Sequence, residues 1–198
     1  AAHLGKDWKE YHLNAEALRQ NFDAMFWMPE KNQFALALDG NKKPIATVTS
    51  NQGHLLFTGI ITDSAKRRAL VDRLRQPDMW TPHGIRTLSD KEPCFNPYLY
   101  HLGSIWFHDN WLIWWGLNRY PEFKKEADEL KRVLIRTAQM LGEAPELHAC
   151  ENGKLKTTAD VSGWGTKPAN HVQAWSAAAI VRLLTENFPT KQREEITI

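Results

Sequence analysis

The chain has 198 residues, 42% of them hydrophobic and 24% charged, with a formal charge of +2, which is enough to build one core-forming domain. Charges that nearly cancel exclude a nucleic-acid surface by composition. The longest apolar stretch, around Trp111 to Leu117, falls far short of the roughly 20 residues that span a bilayer, and no export signal is visible. Two cysteines, Cys94 and Cys150, make neither a disulfide framework nor a metal pair, so a cytoplasmic setting is expected. Nine tryptophans are the unusual feature; so many rings fill a core or line a groove.

Apolar spacing near 3.6 dominates, so the elements are mainly helical. From Asp7 to Phe26, Trp8, Tyr11, Ala15, Leu18, Phe22 and Met25 recur at three or four, predicting a helix with one buried face. Met28-Pro29 ends it, and Gln33 to Leu38 reads as a short strand before an Asp39-Gly40 turn. Asn51 to Ile61 is apolar nearly all round and predicts an interior helix. Asp63 caps a following amphipathic helix through Arg75, which Pro77 stops. The contrast repeats with an apolar helix from Ser104 to Leu117 and an amphipathic one from Glu122 to Leu141, stopped at Gly142. Val172 to Leu184 is again small and apolar. Interior and peripheral helices that alternate in this way suit a double ring, so the expected fold is one all-α domain of toroid type over residues 1–198. The stretches Met79 to Gly103 and Glu143 to Asn170 are expected as loops over one mouth of the ring.

The densest polar cluster runs from Tyr98 to Asn110. It mixes Asp, Asn and His with Tyr and Trp rings, the combination that grips sugar hydroxyls and packs on pyranose C–H faces. On a helix, Ser104, His108 and Trp111 would share one face, with Asp109 beside it; the alternative is Ser104 as an N-cap and Asp109 as a first-turn anion. His101 and His108 lack a third ligand and the spacing of a metal motif. Gly84-Ile85-Arg86 and Gly163-Trp164-Gly165 read as turns. Arg86 serves either a salt bridge or a sugar. Glu146, in a mouth loop beside Leu147, suits general acid or base work, with Glu143 and Glu151 as competitors.

Five blocks in order carry a resemblance: T-S-N-Q-G-H-L-L-F-T-G-I (Thr49 to Ile60), G-I-R-T-L-S (Gly84 to Ser89), N-P-Y-L-Y-H-L-G-S-I-W-F-H-D-N (Asn96 to Asn110), P-E-L (Pro145 to Leu147) and Q-A-W-S-A-A-A (Gln173 to Ala179). Together they resemble the C-terminal half of the catalytic domain of bacterial amylo-α-1,6-glucosidase (glycogen debranching enzyme)-like proteins. Trehalases and processing α-glucosidases share the same six-hairpin (α/α)6 toroid. The resemblance implies hydrolysis of an α-glucosidic bond with inversion, with Glu146 as general base and no cofactor or metal. It places Asn51, His54, Arg86, Tyr100, His101, Trp106, His108 and Asp109 in the sugar pocket, with Gln173 in a matching block. Pro82-His83 and Phe107 depart from the family pattern, and Trp80 is the candidate to supply the displaced aromatic surface.

About three of the six hairpins are expected in this chain, with the family's general acid upstream of Ala1 unless Asp109 takes that role. Interior helices left facing water would expose apolar patches, so a second chain or copy is expected to complete the barrel. The alternatives are a sugar epimerase or isomerase working through His101 and His108, and a carbohydrate-binding chain without catalysis.

Overall fold

The computed structural model describes residues 8–157 and 169–186; the Gly163 to Gly165 segment lies outside them. Among the described residues six α-helices carry the architecture, joined by four two-stranded antiparallel hairpins. In chain order they are α1 (Lys9–Phe26), β1–β2 (Trp27–Met28, Gln33–Phe34), β3–β4 (Ala37–Leu38, Pro44–Ile45), α2 (Asn51–Thr58), α3 (Ser64–Leu74), β5–β6 (Trp80–Thr81, Gly84–Ile85), α4 (Phe107–Asn118), α5 (Lys124–Leu141), β7–β8 (Ala149–Glu151, Lys154–Lys156) and α6 (Ala174–Thr185).

Helix α4 packs against α2, α5 and α6, while α3 and α5 back the row from outside. The inner row α2–α4–α6 with its outer companions is part of an all-α toroid. The burial follows the composition of each helix. Apolar α4 buries residues on nearly every side, among them Phe107, Ile113, Trp114 and Leu117. Amphipathic α5 buries the single stripe Ala127, Leu130, Leu134 and Thr137 together with Glu126, the pattern of a helix wet on one face. Local signals set several ends. The Asp63 side chain accepts from the N–H groups of Ala65 and Lys66 at the start of α3, and Gly59 and Gly142 end α2 and α5 in the left-handed conformation that glycine adopts without strain.

Three expectations change. Helix α1 buries none of its residues, and Trp8, Tyr11, Leu18 and Met25 are exposed; only Phe22 and Phe26 reach the core, stacked at 4.5 Å. Its apolar stripe marks a face for which the described residues supply little cover. Helix α4 begins at Phe107, not Ser104, because the preceding residues are drawn into extended pairing. The Ser104 carbonyl accepts from the N–H and Oγ1–H of Thr87, both at 2.9 Å, and Ile105 exchanges two backbone hydrogen bonds with His148, at 2.8 and 2.9 Å. Ser104 therefore neither caps α4 nor shares a helical face with His108. The expected mouth loops also hold hairpins β5–β6 and β7–β8. The first is clamped to α4 by the buried Asn110, whose Oδ1 accepts from Ile85 N–H at 2.7 Å while its Nδ2 donates to the Ile85 carbonyl at 3.0 Å.

Candidate active site

A cavity of about 550 Å³ opens where the loops 47–50, 87–88 and 101–102 meet the first turns of α2 and α4. Among its walls are Asn51, His54, His101, Trp106, His108 and Asp109, drawn from two segments far apart in the chain. Side chains in the first turn of an inner helix point toward the ring mouth, and an anion there is favoured by the helix dipole.

At the floor His54 Nε2 and Asp109 Oδ1 lie 2.7 Å apart. Burial depresses the basicity of His54, but hydrogen bonding and the charge of Asp109 outweigh it, so its pKa lies above 6.5. The imidazole thus keeps its proton further into the neutral range. Asp109 is only 8% exposed, and its Oδ2 is buried with no hydrogen-bond partner among the described residues.

The aromatic wall differs from the sequence expectation. Trp106 is 3% exposed: His101 stacks on its face at 4.9 Å and 14°, Tyr100 and His108 meet it edge-on at 4.8 and 5.5 Å, and its Nε1–H is donated to Ser104 Oγ at 3.0 Å. His101, held at φ 59°, is therefore the ring laid over this tryptophan. Burial lowers the pKa values of His101 and His108; nearby Asp109 opposes this at both, and Glu146 also does so at His101. His101 accordingly senses both carboxylates.

Glu146 is 9% exposed. Its Oε1 accepts from Tyr100 O–H at 3.2 Å and its Oε2 from Asn170 Nδ2–H at 2.9 Å. Burial and this carboxylate raise the Tyr100 phenol above 10.0. The backbone seam Gln173 N–H to Ala144 carbonyl, at 2.9 Å, brings the Glu146 loop to the start of α6.

Trp80, Arg86, Tyr100, Glu146 and Gln173 do not line this cavity; Tyr100 and Glu146 lie behind its His101 and Trp106 wall. Trp80 pairs with Ile85 across β5–β6 under the Arg75 guanidinium at 5.2 Å. Arg86 is buried and used structurally, donating to the Cys150 carbonyl at 3.0 Å and lying 3.6 Å from Asp90. Gln173 precedes α6, its Oε1 accepting from Ser176 O–H at 3.3 Å. Trp175, in the first turn of α6, is 64% exposed. Sequence reasoning missed Asn170 and His148. Neither carries a local signal, because Asn170 meets Glu146 across 24 residues and His148 meets the His83 carbonyl across 65.

Among the described residues no group of three or more His, Cys, Asp or Glu is arranged to hold a metal, and no helix is long and apolar enough to cross a membrane.

An all-α half-ring with buried carboxylates and stacked rings at its mouth defines the toroidal glycoside hydrolase class. Within that class, the model of the mannosylglycerate hydrolase MGH1-like glycoside hydrolase domain matches residues 1–166, and the chain belongs to this family. Three solved structures from Thermus thermophilus are similar. An uncharacterized conserved protein has TM-score 0.68 and 20% identity over 85% of this chain and 38% of its own. A GH63 mannosylglycerate hydrolase in complex with Tris has TM-score 0.64 and 20% identity, covering 83% and 36%. The same hydrolase in complex with glucose has TM-score 0.62 and 21% identity, covering 85% and 38%. The chain thus spans less than two-fifths of the length of these structures. No curated protein matches it. The resemblance to amylo-α-1,6-glucosidase-like proteins holds at the level of the glycoside hydrolase class.

Proposed function

We propose that this chain supplies the water-activating base and one wall of the sugar pocket of an inverting α-glycosidase. Glu146 is the base. The observation that carries this reading is a nearly buried carboxylate held by donors on both oxygens, set behind His101, which lines a cavity of sugar-binding size,. In the reaction a bond forms from water oxygen to the anomeric carbon as the glycosidic C–O bond breaks. The water proton passes to Glu146, and the departing oxygen takes a proton from a carboxylic acid. Asp109 faces His54 as an acceptor and, lining the cavity, serves as a sugar-binding group.

The bond attacked is α-glucosidic, as in amylo-α-1,6-glucosidase-like proteins, or the corresponding linkage of a small glycoside such as mannosylglycerate. Both place one sugar ring in the pocket. Glu146→Gln should keep sugar binding in calorimetry while losing hydrolysis in a reducing-sugar assay with maltooligosaccharides, isomaltose and mannosylglycerate. Undiminished turnover by the variant would refute the assignment.

The general acid comes from outside the described residues, and a second chain or copy is proposed to cover the open edge of the ring. Supporting this, Trp175, Val181 and Leu184 are exposed on α6, and nearly apolar depressions of about 590 and 390 Å³ flank that helix. Patches of this kind are unusual on a free monomer. Sedimentation at micromolar concentration should show an assembly; a well-ordered dilute monomer would count against it.

A further inference from the structure

We infer that Asn170 is a positioning residue for the base, fixing which oxygen of the Glu146 carboxylate meets water. The inference rests on the reading of Glu146 as the base. Oε2 accepts two hydrogen bonds from this one residue, the backbone N–H at 3.3 Å and the side-chain Nδ2–H at 2.9 Å. Glu146 N–H returns to the Asn170 carbonyl at 2.8 Å. Three hydrogen bonds thus join the pair. Each carboxylate oxygen has about two acceptor positions, so those of Oε2 are filled. Oε1 accepts from Tyr100 O–H alone among the described residues, at 3.2 Å, and keeps one position open. Oε1 is therefore the atom that receives the water proton.

Asn170 is exposed, so it fills no core space and its side chain can be changed without opening a void. What it contributes is direction. A carboxylate gripped at Oε2 cannot rotate to offer the other oxygen or swing from the water, and a misplacement of about 1 Å costs on the order of a hundredfold in rate. The titratable groups in electrostatic contact with Glu146 are Tyr100 and His101.

The test uses the full chain, together with whatever copy completes it, as wild type, Asn170→Ala, Asn170→Asp and Glu146→Gln. The first readout needs no turnover. Tyr100 titrates high through burial and through the adjacent Glu146 carboxylate. With ring-carbon-labelled tyrosine, NMR titration should show its midpoint falling toward 10.0 in Glu146→Gln, where the charge is gone,. In Asn170→Ala it should fall as well, although the charge remains, because the carboxylate is no longer held against the phenol. A Tyr100 midpoint that Glu146→Gln lowers but Asn170→Ala leaves in place would overturn the inference.

The second readout is kinetic. Asn170→Ala and Asn170→Asp should lower kcat about 10- to 100-fold with KM little changed and the thermal midpoint retained. An Asn170→Asp enzyme as active as wild type would mean that the side chain only occupies space. The two readings fail separately: turnover that survives Glu146→Gln removes the base assignment, whereas turnover lost in Glu146→Gln but intact in both Asn170 variants removes only the positioning role.

Discussion

Gly116 of α4 lies against α2 so closely that a Cβ built there would sit 2.6 Å from Phe57 N, 2.7 Å from Leu56 Cβ and 2.9 Å from Leu56 C. Carbon atoms in contact want about 3.5–4.0 Å, so Gly116→Ala must push the two inner helices apart by about 1 Å. The obstructing atoms are chiefly backbone, which cannot rotate aside. Overpacking of this kind costs about 3 kcal/mol, offset by about 1 kcal/mol of improved helix propensity. The net loss is about 2 kcal/mol, a fall of about 4–8 °C in Tm for a chain of this size. Gly53, on the facing helix, is the control. Its added Cβ would meet Ile113 Cγ1 and Cδ1 at 2.7 and 2.9 Å and Leu74 Cδ1 at 3.1 Å, side-chain atoms that can shift without moving backbone, although buried β-branched Ile113 gives way only at a cost,. Gly53→Ala should therefore cost less than Gly116→Ala. Urea unfolding followed by tryptophan fluorescence and circular dichroism gives both values. Because His54 and Asp109 lie on these two helices, Gly116→Ala should also weaken sugar binding. A Gly116→Ala protein as stable as the parent, or a larger loss from Gly53→Ala, would refute the close-packed crossing.

Two predictions concern pH. In Asp109→Asn the charge that raises the His54 pKa is lost while burial and the backbone contact at residue 109 remain, so its NMR titration midpoint should fall,; a midpoint unchanged by the substitution would disprove the pair. The raised His54 pKa contributes stability that is fully present below pH 6.5 and is lost as pH rises through the folded value,. His148 acts in the opposite sense. Fully buried, with Nε2–H donated to the His83 carbonyl at 3.1 Å, it is depressed by burial from 6.5 to about 4. Its contribution is present above pH 6.5 and is lost as pH falls toward 4, amounting to about 3 kcal/mol,. His148→Gln can keep the donor without the ionisation, so the fall in Tm over that window should flatten. A parent and variant with the same acid slope would show that His148 does not drive it.

The helices were legible because their signals are local. The 3.6 period of α5, the Asp63 cap and the Gly142 stop act within a turn or two, and alternation between apolar and amphipathic helices separated the inner row from the outer. What the period of α1 could not convey is whether its apolar stripe finds a partner in the same chain. The start of α4 was misread for the same reason: Ser104 has cap chemistry, but the tertiary pairing of residues 104 and 105 with Thr87 and His148 keeps the chain extended to Trp106.

At the site, residue type alone marked His101, His108, Asp109 and Glu146 as chemistry-bearing, and the ordered blocks added His54 and pointed to a glycoside hydrolase. Only the tertiary structure joined His54 to Asp109 and Glu146 to Asn170, sent Arg86 to a backbone carbonyl, and buried Trp106 beneath His101. Each of these contacts connects groups whose separation is set by how helices and loops pack. A one-dimensional pattern encodes which face of an element is apolar or polar, whereas the partner that face meets is fixed by packing in three dimensions.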